Sequence, residues 1–178
     1  MKLLAVLILA VSIIGCRQDR VKPSIDASLN QAEIPAQESW HSTITFSDSG
    51  KIKAIMNAGH LQVFTGARET LLDGGIKIDF YDQEEKNTTT LTALRGRVDD
   101  ATQNLYARDS VVAVNDSGIV IRTDELMWRN SDRKIVSDKY VVIESPKERI
   151  EGVGFESDQQ LRNYVIYNIT YITRKDSI

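Results

Sequence analysis

"TALRGRVDDATQNLYARDSVVAV" (residues 92–114) lies over "RTDELMWRNSDRKIVSDKYVVIE" (residues 122–144) when the chain is shifted against itself by about 30 residues. Leu105 then meets Ile135, Ala107 meets Ser137, and Val111 and Val112 meet Val141 and Val142. Each copy carries a polar turn, at residues 99–104 in one and 130–134 in the other. A unit of strand, polar turn, kinked strand and further strand cannot bury its apolar face alone, whereas stacked units bury a continuous core. The repeat predicts an all-β chain: a single elongated, twisted β-jellyroll or β-roll of antiparallel strands, without significant helix, rather than a compact immunoglobulin sandwich.

The runs around the repeat agree. In "GIKIDFYD" (75–82), Ile76, Ile78 and Phe80 fall on one face and Lys77, Asp79 and Tyr81 on the other. "TTTLTAL" (88–94) sets Leu91 and Ala93 against Thr90 and Thr92, and threonine suits a strand. Runs at 105–114 and 119–123 flank Asn115-Asp116-Ser117-Gly118, which is hairpin chemistry with a glycine free to take positive φ. Further strands are expected in "RKIVSDKYVVIES" (133–145), which Pro146 stops, and in "NYVIYNITYIT" (163–173). Helical spacing nowhere exceeds about a turn; residues 124–128 have room only for a helix too short to matter. His60, in "NAGHLQVF" (57–64), is expected at a turn.

The amino terminus raises a different question. "LILAVSIIGCRQDR" (7–20) holds the only cysteine. Residues 3–15 are apolar except Ser12, roughly 20 Å as a helix. A bilayer core needs about 20 residues, so this run has the size of a signal-peptide apolar region behind the positive Lys2. Ile13-Ile14-Gly15-Cys16 resembles the lipobox of bacterial lipoproteins. In that family the thiol takes a diacylglycerol, cleavage precedes the cysteine, and the new amine is acylated. The resemblance implies lipidation at Cys16 and a membrane bound through that anchor. A single cysteine permits no disulfide and no metal or redox pair.

The expected division is a signal peptide at 1–15, a lipidated terminus and linker at 16–37, and a β-domain at 38–178. Pro23 and Pro35 punctuate the linker, and about 140 residues suffice for one core. The formal charge of −3 becomes −4 once Lys2 is removed, since no other residue of 1–15 is charged. Mild acidity argues against a nucleic-acid partner.

Nothing in the chain spells catalysis. His41 and His60 stand apart from any zinc-type spacing, and no G-x-S-x-G or glycine-rich loop is present. Asp99, Asp100, Asp109, Asp116, Asp124 and Glu125 are expected in polar turns between strands, where aspartate serves turn geometry. "NTT" (87–89) and "NIT" (168–170) match a glycosylation pattern, but beside a bacterial lipobox they read as strand or turn residues. No enzyme, metal or cofactor is expected.

"VVAVNDSGIVIRTDELMWRNSDRKIVSDKYVVIES" (111–145), followed by "GVGFESDQQLRNYVI" (152–166), resembles the LptC family. Those proteins are the periplasmic, inner-membrane-attached components of the lipopolysaccharide export machine. The features are the Gly118 hairpin, Thr123-x-x-Leu126-x-Trp128, the Ser137-Asp138 pair, and Gly152-x-Gly154-Phe155-x-Ser157-Asp158. The resemblance covers about residues 38–172; residues 118–145 alone also resemble sister bridge proteins that share the OstA-like β-roll. It implies a subunit that receives lipopolysaccharide from the inner-membrane ABC transporter and passes its acyl chains along an apolar groove to the next periplasmic bridge protein. The expected location is the Gram-negative periplasm, with the lipid anchor in the inner membrane. One departure stands out: familiar members carry a transmembrane helix where this chain carries a lipidation motif.

Strand alternation nominates the groove residues: Ile76, Ile78 and Phe80; Leu91 and Ala93; Leu105, Ala107, Val111 and Ala113; Ile119 and Ile121; Val141 and Ile143. Val112, Val114, Val120 and Val142 form the competing face, and one bulge exchanges the two. In the last strand, Asn163, Val165, Tyr167, Ile169 and Tyr171 are the candidate edge for a partner β-roll. Two other classes stay open. A structural or adhesin-like lipoprotein would use the roll for protein contacts only. A polysaccharide-binding module would need a row of exposed aromatics, whereas aromatics are 7% of the chain.

Overall fold

Persistent alternation leaves each apolar face in need of cover, and a single sheet supplies it. The computed structural model describes residues 34–174, and these form ten antiparallel strands of one sheet with no helix. Cys16, the signal peptide and most of the linker lie outside the described residues. The strands are β1 (Gln37–Asp48), β2 (Lys51–Phe64), β3 (Glu69–Tyr81), β4 (Asn87–Ala93), β5 (Arg95–Asp99), β6 (Asn104–Asn115), β7 (Val120–Arg129), β8 (Lys134–Glu144), β9 (Glu148–Ser157) and β10 (Tyr164–Arg174). Each pairs with its neighbours in sequence, except that β4 and β5 together fill one place between β3 and β6. The architecture is the expected β-jellyroll. The Asn115 turn is built as its residues suggest: Asn115 Oδ1 accepts the Ser117 and Ile119 N–H groups at 3.0 and 2.9 Å, and Gly118 takes φ +83°.

The ladder breaks at one level across the sheet. Pairing is interrupted at His41 opposite Gly59, at Gly59 opposite Gly74 and Gly75, and at Leu94 between β4 and β5. It breaks again at Asp109 and Ser110, at Asp124, at Asp138 and Lys139, and at Gly154 opposite Tyr167. The seam is itself hydrogen-bonded at Leu94, whose N–H donates to Asp109 C=O at 3.1 Å and whose C=O accepts from Gly75 N–H at 3.2 Å. Bulges bend a strand and re-aim its side chains, and here they do so in concert.

The seam also changes side-chain parity, which corrects two expectations. In β2 the buried positions run Ala54, Met56, Ala58 and then Leu61; in β7 they run Ile121, Thr123 and then Leu126. A spacing of three looks helical or turn-like in sequence. Residues 124–128 are strand, not helix, and His60 lies within β2, not at a turn. The same skip follows Gly152, with Phe155 the next buried residue.

The sheet folds along this seam into two facing halves. Phe46, Ala54, Ile78 and Phe80 from one side of it line a common cavity with Val98, Leu105 and Trp128 from the other. The far margins meet through Thr89 Oγ1 donating to Gln159 C=O (2.9 Å), Asn115 Nδ2 donating to Gln160 C=O (3.0 Å), and the ion pairs Arg162–Asp116 (3.0 Å) and Arg133–Asp48 (3.4 Å). Leu161, on the β9–β10 loop, is fully buried in the core between them. Outside, pairs such as Arg108–Glu125 and Arg122–Glu144 tie adjacent strands, each worth little singly because it faces solvent.

Candidate functional site

Between the inner faces lies a cavity of about 190 Å³. Its wall is apolar: Phe46 from β1, Ala54 from β2, Ile78 and Phe80 from β3, Val98 from β5, Leu105 from β6 and Trp128 from β7. Polar side chains complete the lining: Lys53, Gln103, Asn130 and Gln159. Lys53 reaches it through a break in regular pairing: Phe46 pairs with Ala54 and Ser47 with Ile52, so Lys53 is an extra residue at a bulge. Its Nζ donates to Gln83 Oε1 at 3.2 Å, and among the described residues it forms no ion pair with a carboxylate. The Trp128 indole N–H is buried and, among the described residues, meets no acceptor. An unmatched buried donor costs about 1–3 kcal/mol, so this wall carries a polar demand that the described residues leave unmet.

The nominated groove residues divide on this geometry. Ile78, Phe80 and Leu105 line the cavity. Ile76, Leu91, Ala93, Ala107, Val111, Ala113, Ile121, Val141 and Ile143 are buried core on the same inner face, and Ile119 packs against it half-buried. Val112, Val114, Val120 and Val142 lie on the outer face, half-buried or exposed. Phe46, Lys53, Val98 and Trp128 were missed by sequence reasoning. Phe46 carried a usable signal, since Ile44 and Phe46 alternate with Thr43 and Thr45.

β10 is a border strand with β9 as its single neighbour. Val165, Tyr167, Ile169 and Tyr171 are each more than half exposed, and Asn163 precedes the strand. These four do not share one face. Ile169 pairs with inward Gly152, whereas Tyr171 pairs with outward Glu151 across a bulge. Ile169 and Ile172, which pairs with buried Ile150, therefore extend the inner face, yet both are 51–52% exposed. The inner face runs on past its own cover at this border.

The other border carries a charged cluster. On the outer face His60 Nε2 meets Glu38 Oε1 at 2.8 Å, Nδ1 meets Asp73 Oδ1 at 3.1 Å, and the ring stacks on Trp40 at 5.2 Å. Hydrogen bonding to the Glu38 carboxylate, with a smaller share from Asp73, raises the His60 pKa. The cluster links β1, β2 and β3. It has no nucleophile and, among the described residues, no group of side chains suited to a metal.

Among the described residues, the sheet offers an apolar interior and two border strands, β1 and β10. Comparison with curated proteins finds no match. Comparison with protein families does: residues 2–171 match the family described as lipopolysaccharide-assembly, LptC-related. The match covers nearly the whole chain, and the chain belongs to the LptC family, whose role is in lipopolysaccharide transport in the Gram-negative envelope.

Proposed function

We propose that this chain is a lipid-anchored periplasmic carrier that receives lipopolysaccharide from the inner-membrane ABC transporter and hands it, acyl chains inward, to the next bridge protein. The observation that carries this reading is the apolar cavity between the two halves of the sheet. Sheltering an acyl chain from water is worth about 0.8 kcal/mol per CH₂, so several chains cannot cross an aqueous space uncovered. The cavity is small. An apolar cavity of about 150 Å³ accepts one benzene ring, so about 190 Å³ holds part of one chain. Passage of a whole lipid requires the margins held by Gln159, Gln160, Arg162 and Arg133 to part.

The same density favours a second reading, in which the roll is a filled structural module used for protein contacts. Photo-crosslinking separates the two. A benzophenone side chain at Phe80 or Ile78 should form adducts with lipopolysaccharide, and one at Lys77 or Asp79 should not, because successive side chains face opposite sides. Ile78→Asp should block transfer, since an unpaired carboxylate there is costly; circular dichroism must show that it still folds. No adduct from either face, in a folded and anchored protein, favours the structural module.

The anchor is proposed at Cys16, where several acyl chains would hold the protein stably while one alone holds it marginally. Cys16→Ser should abolish lipid labelling. If the wild-type chain takes no lipid label and stays in the membrane uncut, the amino terminus is a short membrane anchor instead.

A further inference from the structure

The polar lining of the cavity is unbalanced in charge. Among the described residues its polar members are Lys53, Gln103, Asn130 and Gln159, with no Asp or Glu. Some cations of this acidic chain pair locally, as Lys77 does with Asp79 at 2.8 Å and Arg129 with Asp132 and Glu156. Among the described residues Lys53, like its neighbour Lys51, forms no ion pair. Its hydrogen bond is to the side-chain amide of Gln83, and Glu85 on the same turn accepts from the Ile52 N–H at 2.8 Å. The extra residue at the β1–β2 bulge brings Lys53 into the cavity lining, with its Nζ at the rim beside Gln83. A cation beside an apolar cavity suits an amphiphile whose chain lies along the wall and whose anionic group stops at the rim. Asn130 and Gln159 add neutral polar groups near that anion, while the Gln103 amide is held by Asp100 C=O at 2.9 Å.

We infer that Lys53 is the headgroup contact of this cavity, binding a phosphate carried by the acyl lipid whose chain lies against Phe46, Phe80 and Trp128. This rests on the carrier reading above and adds its specificity: the site distinguishes phosphorylated from dephosphorylated lipid. Lysine acts here as a point charge, so arginine should substitute for it and a neutral side chain of similar length should not.

The test uses the full chain in phosphatidylcholine vesicles with a benzophenone at Phe80, or at Leu105 as a second position. Lipid A is offered with its phosphates or after their enzymatic removal. The phosphorylated form should give roughly tenfold more adduct, the scale of one charge-assisted hydrogen bond. Lys53→Met should remove that preference by lowering the phosphorylated yield alone, and Lys53→Arg should restore it. Equal adducts from both lipids in the unsubstituted chain, or a preference that survives Lys53→Met, overturns the assignment and leaves the carrier reading standing. No adduct with either lipid, in protein folded by circular dichroism, overturns both.

Discussion

Gly59 on β2 and Gly74 on β3 meet backbone to backbone at the seam: a Cβ built on Gly59 would lie 2.4 Å from the Gly74 carbonyl oxygen. That distance is far inside contact, and backbone cannot swing aside as a side chain can. Gly59→Ala should cost more than about 2 kcal/mol, the range of strained or overpacked sites. Gly75, at φ +89° with nothing within 4 Å of its built Cβ, offers a contrast. Gly75→Ala should cost about 1–2 kcal/mol through backbone conformation alone. Urea denaturation of the two variants checks the order; a Gly59→Ala protein as stable as the parent would mean the seam shifts freely.

Leu161 should behave as a core residue despite its place in a loop. It is fully buried at φ +55° and sits between segments whose ends bond across the open margin. Leu161→Ala should cost about 2–5 kcal/mol. Hydrogen exchange should show the loss spreading to β4 and β6, which the loop touches. A cost below about 1 kcal/mol would show that the loop rests on the core without locking it.

The His60 cluster predicts pH-dependent fastening of β1. Its folded pKa is raised above the ordinary 6.5, chiefly by Glu38. The pairing therefore stabilises fully below pH 6.5 and is lost as pH rises through the raised folded value. Amides of β1 should exchange faster above that point than below it, and His60→Gln should flatten the dependence. An NMR titration placing the His60 midpoint at or below 6.5 would contradict the geometry.

Edge docking of β10 can be tested without harming the core. Tyr164 and Ile166 pack against buried residues, whereas residues 168–174 are exposed. Truncation after Tyr167 should leave a folded domain that no longer binds a soluble partner with an OstA-like β-roll. Removing residues 163–178 would instead uncover Phe155, whose ring lies 6.2 Å from Tyr164. Unchanged binding by the shorter truncation would move the interface to β1.

The architecture was legible because Leu105, Val111, Ile135 and Val141 repeat along with the turns between them, and a repeat reports stacking directly. The seam was hidden. Parity arguments assume a constant period of two, and Ala58 to Leu61 or Thr123 to Leu126 breaks it; the double glycine Gly74-Gly75 marks the place in β3, with no such mark in β7. The cavity was half legible. Strict alternation exposed Ile78 and Phe80, but Trp128 lies beyond a parity change, and Lys53 faces inward only because a bulge adds one residue. Glu38, His60 and Asp73 are separated by 22 and 13 residues, so their meeting depends on register between three strands, which no local pattern encodes.

The two unpaired borders have a consequence in terms of symmetry. β1 and β10 are different surfaces at opposite ends of one strand order, so contact between them is heterologous and repeats by translation and twist rather than by a two-fold axis. Such contacts make open filaments unless the rotation happens to close. The borders restrain this with irregularity: β1 carries a bulge at Phe46–Ser47 and β10 one between Ile169 and Tyr171, so a copy meeting itself must match two different interruptions. A β1–β10 contact between copies would leave one free β1 and one free β10 at its ends, so it would lengthen by addition rather than close into a dimer.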